Sequence, residues 1–187
     1  MSESRTVARV VTIAAFVTLI GIGVATAQPP APKAEAVDRW EAFRFLVGTW
    51  VADSSADPRQ GSGEFTFSMY LQDNILVREN HTVIAATSDK PAVTHDDLMV
   101  IYHDQQQTLA SYWDNEGHAI SYTTSFNVAK DTLTFVSDIV TGVPRFRLMY
   151  IKLADGGLKI TFDFAPPGQP DAFAPYLQGT AHKKPTK

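Results

Sequence analysis

From Gly48 onward turn residues interrupt the chain about every ten positions, the pattern of an antiparallel sandwich or barrel. Between the interruptions apolar and polar residues alternate with a period of two. Phe65, Phe67, Met69 and Leu71 alternate with Thr66, Ser68 and Tyr70, and Leu158, Ile160, Phe162 and Phe164 alternate with Lys159, Thr161 and Asp163. Such alternation sets one face of each strand on a core and the other in water. Further strands are predicted near Ile75 to Ala85, Asp97 to His103, Thr108 to Trp113, Ala119 to Val128, Thr132 to Asp138, Arg145 to Leu153 and Phe173 to Ala181. Turns at Asp73-Asn74, Asn115-Glu116-Gly117, Lys130-Asp131, Thr141-Gly142 and Asp155-Gly156-Gly157 join several of them. With a strand at Trp50 the expected fold is all-β, an antiparallel up-and-down barrel of about ten strands, because closure leaves no exposed edge. A two-sheet sandwich satisfies the same pattern. The longest break, Thr87 to Asp96, is expected at the rim of a mouth.

Ahead of the strands, Trp40, Phe43, Leu46 and Val47 recur at helical spacing, which predicts a short helix from Asp38 to Val47 ending at Gly48. Asp38 is placed as its N-cap, with Glu41 three residues on completing a capping-box pair. Further upstream, Arg5 and Arg9 precede an uncharged run from Val10 to Ala27 that closes on Ala25-Thr26-Ala27. These are the charged, apolar and small-residue parts of a bacterial-type secretory signal. Residues 1–27 are therefore read as a signal peptide cleaved after Ala27, residues 28–37 as an extended proline-containing spacer, and residues 38–187 as one domain. The expected location is periplasmic or extracellular, with no stable membrane span after cleavage. A retained anchor is the alternative, since the apolar run approaches the roughly 18 residues that cross a bilayer.

The chain has no cysteine, which excludes disulfide staples, a thiol nucleophile and Cys-rich metal sites. With 16 Lys and Arg against 20 Asp and Glu the net charge is −4. The few basic residues are scattered apart from Lys183-Lys184, so the basic stripe that nucleic-acid binding needs is missing.

The segment Phe45-Leu46-Val47-Gly48-Thr49-Trp50, together with Ile75-Leu76-Val77-Arg78-Glu79, Tyr112-Trp113-Asp114 and Gln178-Gly179-Thr180-Ala181, resembles the calycin superfamily. The likeness is to bacterial lipocalin-like domains of unknown function that open on Phe-Leu-x-Gly-x-Trp, and more distantly to nitrobindin-type haem barrels. It spans nearly the whole chain after residue 37. The resemblance implies a ten-stranded barrel with an interior cavity and Trp50 plugging one end against the opening helix; it does not imply an enzyme. A nitrobindin-like haem ligand near the C-terminus would fall on His182. That histidine is followed by Lys183-Lys184-Pro185 instead of apolar strand residues, so no cofactor is expected.

Within the predicted Ile75 to Ala85 strand, Glu79 and His81 share a row with Ile75, Val77, Val83 and Ala85. The apolar neighbours suggest an inward row. A Glu and His about 7 Å apart on one strand face can share a proton or orient a ligand, and burial would raise the carboxyl pKa. Alternatively the middle of the row faces solvent, or Glu79 pairs with an arginine such as Arg147. The groups His95-Asp96-Asp97 and His103-Asp104 carry possible metal ligands, but roughly 25 Å of strand separates them, so no metal site is expected. Ser111, Asp114 and His118 share one hairpin without the sharp elbow that exposes a hydrolase nucleophile. Tyr102, Tyr112, Tyr122 and Tyr150, with Phe67, Phe126, Phe135 and Phe162, form the core or, in a wider barrel, the wall of an apolar pocket.

The function expected from these features is binding of a small apolar or amphipathic molecule inside the barrel, with Trp50, Glu79, His81, Tyr112 and Arg147 as contacts. The alternatives are an isomerase- or hydrolase-type enzyme using Glu79 and His81 in the same cavity, and a filled barrel acting as an envelope interaction protein.

Overall fold

The computed structural model describes residues 38–54 and 61–185. The signal peptide and spacer read from residues 1–37 lie outside the described residues. The barrel consists of β1 (Gly48–Ala52), β2 (Ser62–Tyr70), β3 (Ile75–Ile84), β4 (Val93–Asp104), β5 (Gln107–Asp114), β6 (Ala119–Phe126), β7 (Thr132–Ser137), β8 (Arg145–Lys152), β9 (Leu158–Ala165) and β10 (Ala174–Lys183). Each strand pairs antiparallel with its sequence neighbours, and β1 closes the ring on β10 through Trp50 opposite Lys183 and Ala52 opposite Ala181. The up-and-down barrel expected from the alternation is therefore the fold, and the sandwich is not. The Thr87 to Asp96 break is shorter than expected, because β4 already begins at Val93 and pairs from there with Ile84.

The opening helix is a single 3-10 segment, Glu41–Leu46. Trp40 occupies its N-cap position without a side-chain cap, so the capping box expected of Asp38 and Glu41 does not form. Asp38 instead closes the preceding turn. One of its oxygens accepts from the Trp40 backbone N–H at 2.9 Å, and the other accepts from Arg44 Nε at 2.8 Å. The segment still places its apolar residues as its spacing predicts. Trp40, Phe43 and Leu46 are buried in the main core cluster.

This helix closes one end of the barrel. Trp40 Nε1 donates to the Asp73 carbonyl at 2.8 Å, and the Trp40 ring lies 4.2 Å from the His103 ring. Phe43 meets Phe126 edge-to-face at 4.8 Å. These partners sit at the β2–β3, β4–β5 and β6–β7 connections, the end that the β8–β9 turn at 153–157 also shares, so the alternate connections 85–92, 115–118, 138–144 and 166–173 lie at the opposite, open end. Trp50 is buried, and its indole N–H donates to the Leu46 carbonyl at 2.7 Å, which ties β1 to the plug. Gly48, between helix and Trp50, has φ +120°, a conformation open to glycine but not to ordinary side chains.

The half of the barrel next to the plug is filled. Phe67, Leu76, Met99, Ile101, Leu133, Phe135, Tyr150 and Leu158 have essentially no exposure. Phe67, Phe135 and Tyr150 meet edge-to-face at centroid distances of 5.4 and 6.1 Å around Tyr150. Burial of each such side chain is worth about 1.5–3 kcal/mol, so this layer is the main source of stability in a chain without disulfides. Tyr102 is not part of it. Its cross-strand partners, Ile75 and Leu109, belong to the rows opposite Leu76 and Ala110, so it lies on the outer face.

Candidate functional site

Directly opposed residues in an antiparallel pair face the same side of the sheet. Phe67 opposes Arg78, and Phe65 opposes Asn80. Both phenylalanines are buried in the core, so Arg78 and Asn80 project into the barrel with Leu76 and Thr82. Glu79 and His81 are exposed, and the expectation of an inward row containing them is corrected. His81 Nδ1 lies 2.6 Å from Asp96 Oδ1 on the outer surface. The apolar neighbours Ile75, Val77 and Val83 misled the assignment because they stand on the outside of the barrel. The real interior row is polar in its upper part. The four-residue turn Leu71–Asn74 carries the information that sequence reasoning missed: an even-length turn pairs the odd-numbered phenylalanines of β2 with even-numbered residues of β3.

Towards the open end these inward groups build one polar wall on β3, β4 and β5. Asp97, almost wholly buried, opposes Asn80 across β3–β4 and Asp114 across β4–β5. Arg78 Nη1 donates to Asp97 Oδ1, and Asn80 Nδ2 donates to Asp97 Oδ2 at 3.0 Å. The His95 ring has Nε2 3.4 Å from Asp97 Oδ2 and 3.2 Å from the Tyr112 hydroxyl, while Nδ1 lies 3.1 Å from Glu116 Oε1. The Tyr112 hydroxyl donates onward to Asp114 Oδ2 at 3.3 Å, and Asp114 also accepts from the His118 backbone and lies 2.8 Å from His118 Nδ1. The chain of contacts thus runs from the rim carboxylate Glu116 to Asp114 through His95 and Tyr112.

The electrostatics follow from this packing. The contact with Asp97 favours the imidazolium of His95, burial opposes it, and Glu116 reinforces it, so its pKa is pushed up to about 9. Burial works against the charge on Asp114, but the His118 backbone and side chain and the Glu116 N–H outweigh it and hold the carboxyl below its usual range. Burial, with Asp97 and Asp114 nearby, drives the Tyr112 phenol far above its ordinary value, and burial does the same for Tyr122. Burial pushes Tyr150 up to about 12. All three phenols are therefore neutral hydrogen-bonding groups near pH 7.

Strands β8, β9 and β10 stand half-way round the ring from β3, β4 and β5. Their inward side chains near the open end are aromatic. Phe146 and Phe162 stack at 5.6 Å with an interplanar angle of 12°, and Tyr176, at the bulge of β10, meets Phe162 edge-on at 6.2 Å. Phe146, Phe162 and Tyr112 are all partly exposed, unlike the filled layer beneath them. The open half is thus a cup with a polar wall facing an aromatic wall. Its floor is Arg78, Tyr122, Leu148 and Tyr150, with the Arg78 guanidinium 5.4 Å from the centre of the Phe65 ring. Among the described residues Arg78 Nε and the Tyr150 hydroxyl have no hydrogen-bond partner.

Of the sequence-derived contact residues, Tyr112 lines the cup, and Trp50 sits below it among the plugging residues. Arg147 does neither. It lies in the outer row of β8 and pairs with the buried Asp163, Nε and Nη2 donating to Oδ2 at 2.8 and 2.6 Å, not with Glu79. Its guanidinium is 4.5 Å from the Phe173 ring. Together with Arg145, Thr123, Ser125 and Thr134 it borders an external groove of about 590 Å³. His182 pairs with Asp53 at 2.7 Å on the outer face, opposite Val51, and its side chain is 60% exposed. That placement does not fit an axial ligand to a haem inside the barrel. Among the described residues no helix is long and apolar enough to cross a membrane.

No protein-family model matches this chain, and no curated protein matches it in sequence.

Proposed function

We propose that this chain is an exported, lipocalin-like binding protein that holds a small amphipathic molecule in the open half of its barrel. The observation that carries the reading is the opposition of two walls: Asn80, Asp97, His95 and Tyr112 on one side, stacked Phe146 and Phe162 on the other. Aromatic surface set against placed polar groups is the usual construction of a small-molecule site. The barrel supports kinship with calycins, together with the Phe45 to Trp50 opening. Export rests on the signal-like segment from Arg5 to Ala27. The enzyme alternative loses its stated residues, because Glu79 and His81 are outside the cup.

The test is to express the full chain in a bacterial host and recover it from the periplasm. Its intact mass is then measured, and a solvent extract is analysed by mass spectrometry. A mass beginning at Gln28 and a stoichiometric small compound in the extract are expected. A second preparation carrying Phe162→Ala and Phe146→Ala should lose that compound while keeping its strand signature by circular dichroism. Retention of the uncleaved mass overturns export, and an empty extract with no binding of added apolar probes overturns the cup as a binding site.

A further inference from the structure

The polar wall of the cup is crowded with charge, yet none of it is left over. Arg78 is paired with Asp97, both nearly withdrawn from solvent. His95 sits between Asp97 and Glu116 at 3.4 and 3.1 Å. Asp114, with its side chain 3% exposed, is held by His118 and by the Tyr112 hydroxyl. Inside the rim, the cations Arg78 and His95 face the carboxylates Asp97 and Asp114, and the sum is zero. An ionic ligand entering this space would shed its water without gaining an uncompensated partner, which costs more than it returns.

What the site offers instead is hydrogen bonding. Arg78 Nε and the Tyr150 hydroxyl are buried donors without partners among the described residues, just beneath the floor, and neutral phenols stand at Tyr112 and Tyr122. The Phe146–Phe162 stack presents a flat surface across from them. The cup is also short. From Arg78 to Ile84 the strand advances about 20 Å, and below Arg78 the filled layer of Phe67, Leu76, Met99 and Ile101 blocks further entry.

Resting on the binding reading above, we infer that the cup selects neutral, ring-bearing molecules with a carbonyl or hydroxyl at one edge and discriminates against ionised ligands of the same shape, long-chain carboxylates included. The ring lies on the aromatic wall, and the oxygen faces the polar wall and floor. Asp97 is the specificity-determining residue, because it cancels the charge of Arg78.

Three probes with one skeleton test this at pH 7 by calorimetry on the full chain: 2-naphthylmethanol, 2-naphthoate and 2-naphthylmethylammonium. The neutral alcohol is expected to bind at least about tenfold tighter than either ion. Asp97→Asn uncovers the charge of Arg78, so the affinity for naphthoate relative to that for the alcohol should rise about tenfold. If that variant does not fold, Glu116→Gln, a change at an exposed rim position, removes a carboxylate beside His95 and should move naphthoate in the same direction. Equal or tighter binding of naphthoate by the unaltered chain overturns the inference and leaves the binding reading intact. Failure of all three probes to bind overturns the binding reading itself, and the inference with it.

Discussion

His95 Nε2 lies 3.2 Å from the Tyr112 hydroxyl across the β4–β5 pair, and through this contact the rim carboxylate Glu116 connects to Asp114. The geometry makes the mouth of the barrel sensitive to the protonation of a single imidazole.

The sign of that dependence follows from the direction of the shift. The folded-state pKa of His95, about 9, lies above the ordinary imidazole value of 6.5. Its contribution to stability is therefore complete below about pH 6.5 and is lost as the pH rises through about 9. Thermal melts of the unaltered chain should show Tm falling between pH 7 and 9.5, and the His95→Gln variant should lose that component. A titration midpoint of the His95 ring near 6.5 by NMR would show that the contact with Asp97 is not made in solution.

Removing one partner of a buried ion pair leaves the other charge stranded. Asp97→Ala should destabilise the barrel by about 3–5 kcal/mol in urea unfolding, because Arg78 keeps its charge with no carboxylate beside it. The double variant Arg78→Met with Asp97→Leu should recover most of that loss. Additive losses in this cycle would contradict a direct pairing.

Tyr150 is fully buried, and among the described residues its hydroxyl has no partner. Tyr150→Phe removes a desolvated polar atom while keeping the ring contacts with Phe67 and Phe135, so the variant should be as stable as the parent or more stable by about 1 kcal/mol. A loss of about 2 kcal/mol or more would mean that the hydroxyl is hydrogen-bonded.

His81 and Asp96 form a pair on the outer surface, 60% and 52% exposed. His81→Ala and Glu79→Ala should each change stability by less than about 0.5 kcal/mol and leave naphthylmethanol binding untouched. Asn80→Ala and Tyr112→Phe, one residue away in each hairpin from exposed positions, should weaken that binding. The reverse pattern would restore the inward row that the apolar spacing of β3 suggested.

The turn between β2 and β3 runs through Leu71, Gln72 and Asp73 with φ of 53°, 58° and 61°, three successive non-glycine residues in the left-handed region. Each such residue costs about 1–2 kcal/mol, offset here by Trp40, whose indole binds the Asp73 carbonyl. Gln72→Gly should be neutral or stabilise by up to about 1 kcal/mol, and Gln72→Val should destabilise, as read from chemical unfolding midpoints.

The strand positions were legible because they depend on local chemistry. Gly, Asn and Asp at the turns and the alternation at Phe65 to Leu71 and Leu158 to Phe164 place every strand within a few residues of its observed bounds. The short helix was legible through Trp40, Phe43 and Leu46, whereas its cap was not. The choice between a helix cap at Asp38 and a closed turn there depends on Arg44 and on the short 3-10 geometry.

The site was much less legible, and β3 shows why. Hydrophobicity marks the inside only where the inside is apolar. In the open half of this barrel the interior row of β3 is Arg78, Asn80 and Thr82, while Val77 and Val83 stand on the outer row. The same inversion moved Arg147 from an expected contact inside the cavity to an external pair with Asp163.

By itself the sequence determined the all-β class, the number and order of the strands and the short apolar helix ahead of them, since each follows from residues near one another in the chain. Only the tertiary structure decided which face of each strand is inside, that the polar residues of β3 to β5 meet the aromatic residues of β8 to β10, and that every charge in the cup has its counterpart. Those relations arise from cross-strand register and ring closure, which bring together residues as distant as Asn80 and Phe162, and a one-residue change of register would reverse them all.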